Sequence, residues 1–338
     1  MKLRYLVGLI ESPVATVFEA INTPNSAGRY RPFYLRNLVD TIKGRTLEDA
    51  VAGKIVLITG GSSGIGAATA RRIGAAGGKV VLVARTPENL EAVASEIRSA
   101  GGTAHAYPCD LSDTDAIVEM ADRVLADLGQ VDILINNAGR SIRRSLALSY
   151  DRIHDYERTM RLNYLAAVQL ILKFAPGMRE RGFGRIINVS SAGVFARPPR
   201  FGAYIASKAA LDILCDALQA ETIADNVRFT TVYMALVRTP MIGPTKIYDR
   251  VPALTPEQAA SVLCDALVRC PRRMSPPIGQ LMAAAEAFSP VIMDRLRSRA
   301  FALFPDSSAA RGTEPDSGQD QLPEGSDSFV RLTRGIHW

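Results

Sequence analysis

Tyr204 and Lys208 stand four residues apart in the stretch Tyr204-Ile-Ala-Ser-Lys208. On a helix that spacing puts both side chains on one face, where they can approach the same atom. A free tyrosine titrates near pH ~10, too high for easy proton exchange at neutrality. A neighbouring ammonium favours the phenolate and lowers that value, so the pair suits moving a proton on and off a substrate oxygen. Ser190-Ser191 lies upstream, Ser191 thirteen residues before Tyr204, and a serine hydroxyl there could bind the same oxygen. Tyrosine and lysine share this spacing on many helices, so the pair alone does not define an active site.

A second motif narrows the chemistry. Thr59-Gly-Gly-Ser-Ser-Gly-Ile-Gly66 follows the apolar run Lys54–Thr59 and opens a helical pattern carrying Ala67, Ala70 and Ile73. In that strand-turn-helix context, Gly60, Gly64 and Gly66 let the backbone turn tightly and approach a pyrophosphate, whose charge faces the helix N-terminus. A motif that holds a dinucleotide and one that moves a proton together describe a nicotinamide-dependent oxidoreductase. The second apolar run, Lys79–Ala84, ends in Arg85-Thr86 where a carboxylate would select NAD. A guanidinium there pairs with a 2′-phosphate, so NADPH/NADP+ is the expected cofactor.

The elements that must position these residues alternate. Apolar runs at Lys54–Thr59, Lys79–Ala84, Thr103–Tyr107, Asp132–Ile135, Arg185–Ser190 and Val227–Tyr233 read as buried strands. Helical patterns separate them: from Gly64, from Pro87 to Ala100, from Ser112 to Asp127, from Tyr150 to Arg181 and from Ala203 to Ala224. The fold class expected is α/β, a Rossmann-like, doubly wound parallel sheet with helices on both faces. It forms a single dinucleotide-binding catalytic domain over residues 51–270, with an N-terminal extension (1–50) and a C-terminal one (271–338). In the latter, Gln280 to Phe304 reads as helical. Asp306 to Ser328, rich in Ser, Gly, Asp, Glu and Pro, reads as disordered.

Composition excludes other classes. The 338 residues are 47% hydrophobic, enough for a substantial core. The four cysteines, Cys109, Cys215, Cys264 and Cys270, have neither metal-ligand nor CxxC spacing. No metal is expected, and a reducing, cytoplasmic setting fits. His105, His154 and His337 form no cluster. The net charge of +6 is spread along the chain with short clusters at Arg143-Arg144 and Arg272-Arg273, which reads as solvated surface and not as a nucleic-acid site. Lys2 and Arg4 precede an apolar stretch, Tyr5 to Ile21, that Glu11 and Pro13 interrupt. It is too short and polar to span a bilayer. A docking helix is expected there, with peripheral membrane contact as the alternative.

Several motifs in order now resemble the short-chain dehydrogenase/reductase family, over about Lys54 to Val268. The resemblance implies cofactor binding by the turn residues Gly60, Ser62, Ser63, Gly64, Ile65 and Gly66, beside Arg85. It gives Asp110 of Cys109-Asp110 to the adenine, and Asn137, Ala138 and Gly139 of Asn136-Asn-Ala-Gly139 to the wall beside the nicotinamide ribose. Val237 and Thr239 would hold the carboxamide and phosphate. Asn163, Ser191, Tyr204 and Lys208 would form the catalytic tetrad, Tyr204 as general acid, with Tyr204 and Lys208 also contacting the cofactor. One departure is Met234-Ala235, where the family has Pro-Gly; the family's glycine-rich C-terminal segment is also absent.

The strings from Asn136 to Arg144, Asp155 to Tyr164 and Leu236 to Tyr248, with the terminal His337-Trp338, further resemble bacterial fatty acyl-CoA reductases. That implies NADPH-dependent reduction of a long-chain acyl-CoA to a fatty aldehyde by a homo-oligomer. The same tetrad would also serve a carbonyl reductase acting on a ketone or lipid 3-oxo group. Arg140, Arg143 and Arg144 are expected at the surface, with CoA phosphates as the alternative partners. Met241, Ile242, Ile247 and Tyr248 would line an acyl channel or pack a loop.

Overall fold

The computed structural model describes residues 44–243, 248, 253–313; Ile247 and the apolar stretch Tyr5 to Ile21 lie outside them. Seven strands, β1 (Ile55–Thr59), β2 (Lys79–Ala84), β3 (Thr103–Pro108), β4 (Ile133–Asn136), β5 (Gly184–Ser191), β6 (Val227–Met234) and β7 (Arg273–Met274), form one parallel sheet in the order β3-β2-β1-β4-β5-β6-β7. The chain runs outward from β1 to β3, then returns to build the other half from β4. The strand order reverses between β1 and β4, and ligands of open α/β sheets bind in the crevice beyond such a switch point.

The helices are α1 (Leu47–Val51), α2 (Gly64–Ala75), α3 (Pro87–Ser99), α4 (Thr114–Leu128), α5 (Ile153–Met160), α6 (Ala166–Glu180), α7 (Gly193–Ala196), α8 (Gly202–Thr222), α9 (Pro256–Arg269), α10 (Pro277–Phe288), α11 (Pro290–Leu303) and α12 (Ser308–Arg311). Side chains alternate across the pleat. Val56 and Ile58 pack with Val80 and Leu82 under α2, α3 and α9, whereas Ile55 and Leu57 pack with Val81 and Leu134 under α4, α6 and α8. Burial on both faces explains why the strands read as unbroken apolar runs.

Four sequence expectations change. The helix expected from Ser112 begins at Thr114, because Asp113 caps it by accepting from the amides of Asp115 and Ala116. The helix expected from Tyr150 to Arg181 begins at Ile153 and stays helical to Glu180, but a π turn, Arg161–Leu165, stands between α5 and α6. The helix expected from Gln280 to Phe304 is two, because Pro290 lacks an N–H and forces Ser289 out of the helical region, to φ −150° and ψ 88°. The disorder expected from Asp306 does not reach residues 306–313, where Ser308–Arg311 is helical and Ser307 caps it; the remainder lies outside the described residues.

Segments on either side of residues 51–270 belong to the same body. Thr46 and Asp49 form a capping box that starts α1, and Val51 is fully buried against the sheet. Beyond residue 270, β7 completes the sheet, and α10 and α11 place Ile278, Met282, Met293 and Ala300 in one apolar cluster with Tyr204. Arginines fasten this C-terminal segment. Arg200 pairs with Asp306 at 3.2 Å and donates to Phe301 O, Arg144 donates to Ala310 O at 2.7 Å, and Asp306 also accepts from Ser145 N at 3.0 Å.

Removing the Asp306 carboxylate strands the Ser145 amide and the buried Arg200 guanidinium. Asp306→Ala is therefore expected to cost on the order of 2 kcal/mol in urea unfolding and to open residues 277–313 to limited proteolysis. An unchanged midpoint and digest would detach this segment from the catalytic body.

Candidate active site

The glycine turn is held from behind by the polar end of β4. Thr59 Oγ1 accepts from the amides of Asn137 and Ala138, each at 3.0 Å, and the Asn137 amide nitrogen donates to Thr59 O at 2.9 Å. Gly60 and Gly64 adopt φ of +67° and +53°, the left-handed region that favours glycine. A side chain on Gly66 would collide with the Gly60 carbonyl. Ser63, at the N-cap of α2, makes no side-chain cap bond, so the first-turn amides face the cavity in front of them.

That cavity has a volume of about 870 Å³ and lies at the carboxyl ends of the strands. Gly60, Ser62, Ser63, Gly64 and Ile65 line one wall; Gly66 sits beneath it. Arg85 and Asp110 line one end, where Asp110 accepts from Ser112 N and Oγ at 2.9 and 2.7 Å. These bonds hold its carboxyl below the usual value, with Arg85 and Arg140 adding to the effect. Asn137, Ala138, Gly139, Val237 and Thr239 line the middle. The Met234-Ala235 departure leaves the backbone regular: Met234 stays in register opposite Ser191, and its carbonyl accepts from Ala192 N at 3.0 Å.

Tyr204 and Lys208 emerge from α8 onto the same cavity, both nearly fully buried. Burial pushes the Tyr204 hydroxyl above its ordinary value, and its hydrogen bond with Ser191 opposes that. This corrects the expectation of a depressed tyrosine, since desolvation of the phenolate outweighs the favourable contacts. The Lys208 ammonium donates to Val189 O at 2.8 Å, and burial brings its pKa down to about 8. Ser191 does not line the cavity; it is 1% exposed, accepts from Gly193 N at 3.1 Å and reaches the site through Tyr204. Ser190 does line it, and its Oγ is buried with no hydrogen-bond partner among the described residues.

Asn163 lies behind the wall in the π turn. Its carboxamide accepts from Arg140 N at 2.8 Å and donates to Arg140 O and Ser207 Oγ, both at 2.9 Å. It thereby fixes the loop leaving β4 relative to α8. Gly139 is confined between Asn163 and Lys208, where a Cβ would come within 3.3 Å of each side chain.

The arginines expected at the surface divide. Arg140 lines the cavity, but Arg143 is 9% exposed and donates to Phe304 O at 3.1 Å and to the Tyr248 side chain. Arg144 pairs with the buried Asp155 at 3.2 Å. Tyr248 is buried in the apolar cluster around Tyr204, and Met241 and Ile242 line the cavity mouth. The buried role of Arg143 left no trace in the sequence, because its partners come from residues more than a hundred positions away. Ser207, the support for Asn163, stands in the same Tyr204–Lys208 stretch and could have been suspected there.

A parallel doubly wound sheet, a glycine turn at its switch point and a buried tyrosine-lysine pair in one crevice define a dinucleotide-binding oxidoreductase. The short chain dehydrogenase family model matches residues 54–247, and the chain belongs to that family. An oxidoreductase of Mycobacterium tuberculosis is 70% identical over 341 residues, covering 100% of both chains. A fatty acyl-CoA reductase of Acinetobacter baylyi is 50% identical over 288 residues, covering 85% of this chain and 96% of its own length. Among solved structures, a metagenomic short-chain oxidoreductase in complex with NADP is similar at a TM-score of 0.57 and 32% identity, covering 67% of this chain and 96% of its own.

Lys208 titrates near pH 8 when folded against 10.5 when free, so between those values the unfolded chain binds the extra proton and stability rises with pH. Lys208→Met should lack this rise. Its stability relative to the wild type is expected to fall by on the order of 1 kcal/mol per pH unit above pH ~8 in urea titrations. Parallel pH profiles would remove the buried ammonium from the account.

Proposed function

We propose that this protein reduces a long-chain fatty acyl-CoA to the fatty aldehyde and free CoA, using NADPH. The observation that carries the proposal is the joining, in one cavity, of the glycine turn, Arg85 and the Tyr204–Lys208 pair. The likeness over most of both chains to the Acinetobacter fatty acyl-CoA reductase directs the substrate assignment.

The residues fit a dinucleotide. The side chain that Gly66 lacks would fill the space under the turn, the first-turn amides of α2 have no side-chain cap from Ser63, and the orphaned Ser190 hydroxyl needs a polar partner on the cavity wall. The turn residues would hold the pyrophosphate, Asp110 the adenine, Lys208 the ribose, and Val237 and Thr239 the carboxamide end. Arg85 would pair with the 2′-phosphate. When bound, the reduced nicotinamide supplies the hydride.

The chain's own residues do the rest. Tyr204 would donate a hydrogen bond and then a proton to the substrate oxygen, and a hydroxyl whose pKa burial has raised remains protonated and ready to donate at neutral pH. Ser191 orients that hydroxyl, and Asn163 and Ser207 hold the loop against which the substrate is placed. The acyl carbon gains a hydride and its oxygen the proton, giving a hemithioacetal; as the carbon–sulfur bond breaks, the proton on oxygen passes to sulfur, leaving aldehyde and free thiol. Of the three arginines considered for CoA phosphates, Arg140 keeps that role; Arg143 and Arg144 are occupied internally. Exposed Leu172 on α6 and Ile213 on α8 support assembly of more than one copy through the long helices.

With palmitoyl-CoA, NADPH oxidation is expected to match thiol release mole for mole, and Tyr204→Phe should lower kcat by roughly 100-fold or more while NADPH still binds. Turnover confined to ketones or aldehydes would transfer the protein to the carbonyl-reductase reading.

Arg85→Asp should lower the ratio of kcat/KM for NADPH to that for NADH by about tenfold or more, the loss of one charge-assisted contact. An unmoved ratio would defeat the 2′-phosphate assignment.

A further inference from the structure

The helix pair α10 and α11 has two unlike sides. One builds the wall behind the catalytic tyrosine, through Ile278, Met282, Met293 and Ala300. The other ends in an apolar elbow. Phe288 is 91% exposed, Val291 and Ile292 are each 61% exposed, and Leu281 is 47% exposed. Leu281, Ala284 and Phe288 follow at i, i+3 and i+7, so they form one stripe of α10 that runs onto the tip. Pro290 fixes that tip by ending one helix and starting the next. Large apolar side chains gathered at a protruding turn mark a contact surface and are costly to leave in water.

The charges beside the elbow say what it touches. Its two carboxylates are engaged: Glu286 pairs with Arg197 and with Arg297 at 2.5 Å, and Asp294 pairs with Arg297 at 3.2 Å. Ile292, Arg295 and Arg299 follow at i, i+3 and i+7 on the outer side of α11, and both arginines are exposed. Over residues 286–299 there are three arginines and two carboxylates, and Arg197 adds a further positive charge. Apolar side chains at a tip with cations one and two turns behind them match a bilayer surface, where the tip enters the acyl boundary and the guanidinium groups meet anionic headgroups. No described helix is long and apolar enough to cross a membrane, so contact would be at the interface. We propose that the α10–α11 elbow docks the protein on an anionic lipid bilayer, with Phe288, Val291 and Ile292 inserted and Arg295 and Arg299 at the headgroups.

This surface is distinct in sequence from the N-terminal apolar stretch, and the inner side of its two helices shares an apolar cluster with Tyr204. Docking there would place the chamber wall against the phase in which long-chain acyl groups partition. The docking claim itself stands on exposure and charge, whatever the substrate.

The test is flotation of the full-length protein with vesicles of phosphatidylcholine alone and of phosphatidylcholine mixed with phosphatidylglycerol. Wild type should float with the mixed vesicles and much less with the neutral ones. A triple variant, Phe288→Ser with Val291→Ser and Ile292→Ser, should lose about tenfold in bound fraction. Arg295→Gln with Arg299→Gln should lose the preference for anionic lipid. Circular dichroism and NADPH binding report whether the variants are folded. As a second arm, Ile292→Trp in a Trp338→Phe background should show blue-shifted emission quenched by brominated lipid. Two outcomes would overturn the proposal: a triple variant that floats like wild type, or a tryptophan at 292 that stays unquenched on bound protein. If the first comes with a changed oligomeric state, the elbow belongs to a second copy of the chain; an unquenched tryptophan would assign binding to another segment such as Tyr5 to Ile21.

Discussion

The side chain of Thr59 joins the two halves of the sheet at the point where their order reverses. Its hydroxyl accepts two amides from the end of β4 while Asn137 returns a bond to its carbonyl, so β1 and β4 are locked at their carboxyl ends. All else in the site is measured from that junction. The glycine turn leaves from Thr59 and the loop that Asn163 holds leaves from Asn137, so their separation is set by bonds buried at the junction. A second polar tie lies one strand over, where Asn136 donates to Asn188 at 2.8 Å and Asn188 to the Cys215 sulfur at 3.0 Å. It couples β4 through β5 to α8, the helix that carries the tyrosine and lysine.

From this frame the site gains its rigidity by filling both ends of each bond. Asn163 holds both backbone groups of Arg140, and Ser207 supports Asn163. The π turn adds one residue to the helix, and it does so at the residue that must reach inward; widened turns of this kind often sit at functional positions. Tyr204 and Lys208 are consequently both desolvated. Burial raises the acid and lowers the base, and each is moved toward its neutral form.

The C-terminal segment lies beyond the residues that the family model matches. Its helices pack Ile278, Met282 and Met293 into the apolar cluster that holds Tyr204, and arginines bolt them down by donating to backbone carbonyls of Phe301, Phe304 and Ala310. Guanidinium groups suit this task because several fixed donors serve several acceptors at once. Arg200 adopts φ of +73° and its guanidinium lies 3.9 Å over the Phe301 ring, so the loop after α7 is shaped around the same contact.

The sequence by itself determined six of the seven strands, the glycine turn and the Tyr204–Lys208 pairing, because each depends on local pattern; the two-residue β7 is too short to leave one. Strands buried on both faces are apolar throughout, left-handed turns favour glycine at Gly60 and Gly64, and a four-residue spacing puts Tyr204 and Lys208 on one helix face. It also gave the departure at Met234-Ala235, though not that β6 keeps its pairing through it. Tertiary structure decided the rest. Whether Tyr204 is raised or lowered depends on how much protein surrounds it, and Arg143 became a buried tether because Phe304 and Tyr248 arrive from distant parts of the chain. The helix expected from Tyr150 widens into a π turn at Asn163, the residue that bonds across to Arg140, a contact no helical period encodes. Local periodicity reads what a residue does with its neighbours along the chain; burial, charge balance and long-range bonds are settled only when the chain has folded onto itself.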